Sequence, residues 1–343
     1  MKEPYSTIVG NLPLRERLAR YVLEDTLPHA LILEGPRGSG KQTVARLTAA
    51  ALQCQRRQDP HAPLPCMSCS SCQRILGNKS PDLIFLGLED RATIGVDTVR
   101  FLREDVRLLP NDTDQKIYVI RDADHMTHQA QNALLLTLEE PPAYAHFFLL
   151  CEDAGQFLET IRSRAPILRT QRITKEQTDR YLCEKDRRAL QMKQSDPAGY
   201  AELLCAAKDG IGQALEYLDP KAFAPVRQLR ALVADFVSAS VRRPSPDVIL
   251  PLLARFSNKR DPLSEQLSTL SEALRDLILL KKSENAPLCF FSDREAAWEL
   301  CDQSTLPMLY RLNESVTRAI EENARNANVR LCLINMAVRA ELL

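Results

Sequence analysis

The chain has 343 residues, is 45% hydrophobic and 26% charged, and sets 45 Lys and Arg against 45 Asp and Glu. That length exceeds what one core ordinarily serves and points to two or three domains, while zero formal net charge leaves no global field to draw the chain onto nucleic acid. No apolar run approaches membrane-spanning length and Met1-Lys2-Glu3-Pro4-Tyr5 is not a signal peptide, so no membrane role and a cytoplasmic location are expected.

Residues 11–25 place Leu12, Leu14, Leu18, Tyr21 and Val22 among charges, as an amphipathic helix does. Pro28-His29-Ala30 leads into an apolar strand, with His29 a structural residue at its start. Leu31-Ile32-Leu33-Glu34-Gly35-Pro36-Arg37-Gly38-Ser39-Gly40-Lys41-Gln42-Thr43 then reads as strand, glycine-rich turn and helix start. The spacing Gly-x4-Gly-Lys is that of a phosphate-binding loop. Glycines let successive N–H groups turn inward toward phosphate oxygens, and the helix adds its positive dipole end. The candidate nucleotide-binding residues are Gly35, Gly38, Gly40, Lys41, Gln42 and Thr43, cradling ATP or ADP. After the lysine, Gln42 stands where a Ser or Thr hydroxyl would bind Mg²⁺, and Thr43 comes one place late, on a different helix face. The loop is equipped for phosphate and poorly equipped for the metal. A glycine-rich turn without ligand is the plain alternative.

Residues 43–52 continue as helix. Cys54, Cys66, Cys69 and Cys72 follow, with two adjacent Cys-x2-Cys steps and a fourth cysteine at the end of the helix. Four thiolates and no open position fit structural zinc; an iron–sulfur cluster or free thiols are the alternatives. The intervening 55–65 segment is polar and holds three prolines, so metal would order it. His61 is an unneeded extra ligand. The other six cysteines lie singly and read as small core residues.

Further strands are expected at 81–86, 116–120, 145–151 and from Pro166. Helices are expected at 94–109, with Val96, Val99, Phe101, Leu102 and Val106 inward, and at 126–138, stopped by Pro141-Pro142. Strands alternating with helices imply a parallel sheet covered on both faces. Beyond Ile173 the strand runs disappear. The fold class is therefore α/β followed by all-α. Residues 174–218 read as a small helical unit and 222–343 as a larger one, with Pro220–Pro225 as a hinge and loops at Arg242–Pro246 and 283–292.

In a phosphate-loop ATPase a second strand ends in acidic residues that hold Mg²⁺ and polarise water. Here Ile117-Tyr118-Val119-Ile120 is followed by Arg121-Asp122-Ala123-Asp124, a cation at the first acidic position. Asp122 and Asp124 read as loop and capping residues.

Asn132-Ala133-Leu134-Leu135-Leu136-Thr137-Leu138-Glu139-Glu140-Pro141-Pro142 resembles the signature helix of bacterial clamp-loader subunits of DNA polymerase III. Thr160-Ile161-Arg162-Ser163-Arg164-Ala165 resembles that family's Ser-Arg-Cys motif, with Ala165 in place of cysteine. The four-cysteine insertion and Asn326-Ala327-Asn328-Val329-Arg330-Leu331 are further shared marks. The resemblance is dense over 29–170 and thinner beyond. It implies an AAA+ fold: a P-loop module over 1–172 with the zinc module at 54–72 inserted, a helical lid over 173–220 and a helical collar over 221–343.

The resemblance also implies a role in loading the sliding clamp on primer-template DNA, with gamma/tau and delta subunits as partners. The family's motor carries Thr or Ser after the lysine, an Asp-Glu pair, a polar sensor residue and a lid arginine. This chain has Gln42, Arg121-Asp122, Cys151-Glu152 and Gly212-Gln213-Ala214 at those places. The expectation is a non-hydrolysing stator of the delta-prime type, belonging to the polymerase holoenzyme but itself neither polymerase nor ATPase. Arg164, with Ser163 of the same motif, is implied as an arginine finger acting in trans. The alternatives are an active gamma/tau-like ATPase and a zinc-dependent DNA-binding protein. The latter is disfavoured by neutral charge and by the lack of aromatic–basic interleaving near Cys66–Cys72. Glu139 and Glu140 read as structural or interface charges.

Overall fold

Alternation along the strands builds the first half of the molecule. In the computed structural model, which describes residues 5–88, 92–208, 210–242 and 245–343, five strands form one parallel sheet in the order β2-β3-β4-β1-β5. They are β1 (Ala30–Glu34), β2 (Leu83–Leu86), β3 (Lys116–Ile120), β4 (Ala145–Cys151) and β5 (Ile167–Arg169). Helices α1 (Leu12–Leu23), α2 (Lys41–Leu52), α3 (Ser70–Leu76), α4 (Val96–Asp105), α5 (His128–Glu139) and α6 (Glu159–Arg162) accompany them. The expectations for Met1–Pro4 and for Arg243-Pro244 lie outside the described residues.

Successive strand side chains point to opposite faces. Leu31, Leu33, Ile117, Val119, Phe148 and Leu150 share one core with α1, α2 and the cysteine module. Ala30, Ile32, Tyr118, Ile120, Phe147 and Leu149 share the other with α4 and α5. Burial on both faces is why the strands read as unbroken apolar runs, each large side chain worth about 1.5–3 kcal/mol. His29 sits at the foot of β1, its Nδ1 3.1 Å from the Ala145 carbonyl oxygen and its ring stacked on His146.

Two expectations change here. Helix α4 is shorter than 94–109, and Phe101 is 53% exposed, whereas Val99, Leu102 and Val106 are buried. Positions 99, 102 and 106 follow the helical repeat, and 101 falls off that stripe. Cys183 and Cys289 are only half-buried, unlike Cys151, Cys205, Cys301 and Cys332.

The chain divides into two units, the first running to Gln177 and including Gly210–Gly212, the second comprising the rest. Helices α7 (Lys175–Lys185), α8 (Arg187–Ser195), α9 (Pro197–Ala206) and α10 (Ile211–Tyr217) follow the sheet, and Leu182, Ala189, Tyr200, Leu203 and Phe223 gather in one small core. A larger core, including Phe236, Leu267, Leu274, Val316 and Met336, binds α11 (Pro220–Val241), α12 (Pro246–Ala254), α13 (Arg260–Lys282), α14 (Arg294–Asp302), α15 (Leu306–Ala324) and α16 (Val329–Arg339). The expected hinge at 220–225 is instead the start of a long helix. Asp219 accepts a hydrogen bond from the Lys221 N–H (3.0 Å), Pro220 occupies the first turn, and Pro225 is carried inside the helix. The 283–292 loop is held by buried Asp276, whose carboxylate accepts the N–H groups of Cys289, Phe290 and Phe291.

Candidate functional site

Strand β1 delivers the chain to Glu34 at the carboxyl edge of the sheet, where open α/β folds hold ligands. Glu34 accepts the Arg169 Nε–H (2.6 Å) and the Ala154 N–H (3.0 Å), and the Arg169 guanidinium holds its carboxyl below the ordinary range. At Gly35 an added Cβ would lie 1.8 Å from Thr170 Oγ1, so the packing requires glycine. Gly38 and Gly40 have φ of +80° and +82°, the left-handed region that curls the loop. Ser39 Oγ and Thr170 Oγ1 are 2.8 Å apart, and these buried hydroxyls tie the loop to the end of β5.

Lys41 opens α2 as expected, but its ammonium folds back and donates to the carbonyl oxygens of Gly35 (2.5 Å) and Pro36 (2.9 Å). Burial lowers its pKa, opposed mainly by the carboxylate of Glu152. The loop has the shape of a phosphate cradle, with its cation bonded to its own backbone.

The positions at which metal contacts are expected to be missing are occupied as follows. Gln42 is half-buried and Thr43 is exposed, because adjacent helix positions face apart. Arg121 packs over Gly87 at the end of β2, where an added Cβ would lie 3.3 Å from Arg121 Nε. Asp122 is exposed. The Asp124 side chain is only 7% exposed and accepts the Glu152 N–H (2.9 Å) and Asp153 N–H (3.3 Å), capping the turn after β4. At the sensor position Cys151 is buried, and burial pushes its thiol up to about 12, leaving it neutral. In α10, Gln213 donates to Tyr217 Oη (2.8 Å).

Cys54, Cys66, Cys69 and Cys72 converge. Their sulfurs all lie within 4.8 Å of one another and none is in a disulfide. Cys66 and Cys72 are 3.9 Å apart, near the edge of about 3.8 Å that a zinc–thiolate tetrahedron with bonds of about 2.3 Å requires. The Cys69 N–H points at Cys66 Sγ (3.3 Å) and the Cys72 N–H at Cys69 Sγ (3.5 Å), the turn passing through Met67 in the left-handed region. Burial works to raise the Cys66 thiol, but N–H groups of Cys69 and Ser68 outweigh it and bring it to about 6. Burial pushes Cys54 and Cys72 up. Four such sulfurs at this spacing repel one another as thiolates unless a cation lies between them, so the donor set fits zinc.

Arg164 follows α6 and is 38% exposed. Its Nη1 donates to Thr160 O (3.0 Å) and reaches Ser163 Oγ (3.4 Å), and its Nη2 donates to Glu139 Oε1 (2.9 Å). None of these partners belongs to its own phosphate loop. Gln131 of α5 accepts the Leu158 N–H (2.8 Å) and donates to Gln156 O (3.1 Å), fixing the start of α6. Sequence reasoning passed over Gln131, Thr170 and the pairing of Glu139 with Arg164. No local signal marks such partners, which lie 25 to 131 residues from the groups they hold.

Residues 11–174 match the family described as DNA polymerase III, delta subunit. The chain is 32% identical over 219 residues to DNA polymerase III subunit tau of Bacillus subtilis, covering 63% of this chain and 37% of that protein. It is 34% identical over 163 residues to DNA polymerase III subunit delta' of the same organism, covering 48% of each. It thus spans less than half the length of these relatives. A DNA polymerase III gamma subunit-related protein of Thermotoga maritima has the same fold, with a TM-score of 0.50 at 17% identity over 95% of this chain and 98% of that one.

Proposed function

We propose that this chain, a relative of the clamp-loader subunits of DNA polymerase III, is a non-hydrolysing stator of the delta-prime type. It would work beside gamma/tau and delta subunits to load the sliding clamp on primer-template DNA in the cytoplasm. The observation that carries this reading is a selective loss. The loop keeps the backbone shape of a phosphate cradle, while Gln42, Arg121 and neutral Cys151 replace the groups that hold Mg²⁺ and water, and Lys41 is bonded to its own loop. Arg164 is retained and solvent-accessible, as a group acting on a neighbour's γ-phosphate must be. We read 1–172 as the AAA+ module, 173–220 as its lid and 221–343 as the collar, with zinc held by Cys54, Cys66, Cys69 and Cys72 as a structural ion.

A gamma/tau-like motor is the second reading, favoured by the similarity to the Bacillus tau subunit. ATP binding and turnover by the purified chain with Mg²⁺, beside Lys41→Ala, separate the two. The stator predicts no turnover in either protein, and turnover abolished by Lys41→Ala establishes the motor. In the reconstituted complex, Arg164→Ala is expected to lower DNA-stimulated ATPase with assembly intact, each finger being worth up to about a thousandfold or more at its own site. An unchanged rate removes the finger.

A further inference from the structure

We propose that Glu139 is a positioning residue for Arg164, holding the guanidinium in the geometry in which it meets a neighbouring subunit's phosphate. The inference deepens the stator reading and rests on it. Glu139 is the last residue of α5, and Arg164 lies 25 positions further on, just after α6. Within its own turn Arg164 has only Thr160 O and Ser163 Oγ as acceptors, both on Nη1. These alone would curl the side chain back onto α6. The Glu139 carboxylate, reaching in from another helix, takes Nη2 at 2.9 Å and fixes the plane of the guanidinium from its far side.

The fixation is rigid because its two ends are. Helix α5 begins on a Thr127 cap, with Thr127 Oγ1 accepting the Ala130 N–H (3.2 Å), and Gln131 bonds α5 to the backbone on which α6 starts. Glu139 at the end of α5 is thereby held against the turn that carries Arg164, directly after α6. Of the five N–H donors of the guanidinium, Nε–H and one on Nη2 have no protein partner among the described residues. Those two remain for an incoming phosphate.

The energetics favour positioning over restraint. Glu139 is 46% exposed and Arg164 38%, so the pair meets solvent and is screened, and a carboxylate engaging one N–H leaves the guanidinium's charge and its two free donors available to a phosphate. A free arginine freezes several torsions when it docks. One held by three bonds beforehand has already lost that freedom, and the gain appears in the transition state.

The test is steady-state, DNA-stimulated ATPase of the complex reconstituted from this full chain with gamma/tau and delta subunits. Glu139→Ala is expected to lower kcat about threefold or more with KM unchanged, as a misplaced catalytic group does. Glu139→Gln keeps an acceptor oxygen in place and is expected to restore most of the rate. Glu139→Ala combined with Arg164→Ala is expected to be no slower than Arg164→Ala alone, because both act through one group. Thermal melting and gel filtration check folding and assembly, and Glu139→Met, of similar length without a carboxylate oxygen, replaces the alanine variant should that one fail to assemble. Wild-type kinetics for Glu139→Ala beside an impaired Arg164→Ala overturns the positioning role and leaves the finger standing. Silence of both variants removes the finger itself. A faster Glu139→Ala makes the carboxylate a restraint, which also overturns the proposal.

Discussion

The two ends of α2 hold opposite fates. At its start the phosphate loop keeps its glycines, its curl and its lysine, yet the residues around it do not match the chemistry. Just past its end, Cys54 joins Cys66, Cys69 and Cys72 with all four sulfurs within 4.8 Å of one another. Backbone shape and side-chain chemistry are separable. The loop's shape has a use apart from any nucleotide: Gly35 makes room for Thr170, and Ser39 bonds it, so the loop packs against the end of β5. The cysteine module has no such second use. Its polar, proline-rich 55–65 segment packs into the core mainly through Leu64, so an ion held by the four sulfurs would add much of the order there.

The largest effect expected from this contrast is at the cysteine end. The purified chain is expected to carry about one zinc per molecule by elemental analysis, and Cys72→Ser to lose it along with several kcal/mol of stability by chemical denaturation. A metal-free protein of undiminished stability breaks the comparison. At the loop end, Gly35→Ala is expected to cost about 1–3 kcal/mol through the contact with Thr170, with ATP absent throughout. Thr170→Ala in the same chain relieves part of that cost. Equal stability of Gly35→Ala and wild type removes the packing role and returns the glycine to a purely nucleotide-related one. The smallest effect concerns Glu34. Its pKa is held below the unfolded value by Arg169, so its contribution is present above the ordinary carboxylate range and is lost as pH falls through the folded pKa. Glu34→Gln is expected to flatten the acid limb of a stability–pH curve slightly, the exposed Arg169 keeping the effect small.

The α/β half was legible because its signals are local. A strand buried on both faces is an apolar run, a left-handed turn needs glycine, and Cys-x2-Cys brings two sulfurs within reach of one ion whatever surrounds them. Phe101 and Pro220–Pro225 were misjudged for a related reason. Apolarity alone does not tell which side of α4 faces the core, and the Asp219 cap with Pro220 in the first turn starts a helix long enough to carry Pro225 inside it.

The sequence by itself determined the strand–loop–helix around Lys41, the four sulfurs, the absence of Ser or Thr at Gln42 and of an acid at Arg121, and the Ser163-Arg164 pair. Only the tertiary structure decided that Lys41 spends its donors on Gly35 and Pro36, that Thr170 makes Gly35 obligatory, and that Glu139 holds Arg164. The Lys41 bonds are local and depend on the curl of the loop, while the other two partnerships are fixed by the order of strands and the packing of helices. A hydrogen bond between residues far apart in the chain leaves no periodicity or spacing behind, because its distance is set by the fold and not by the number of residues between its ends.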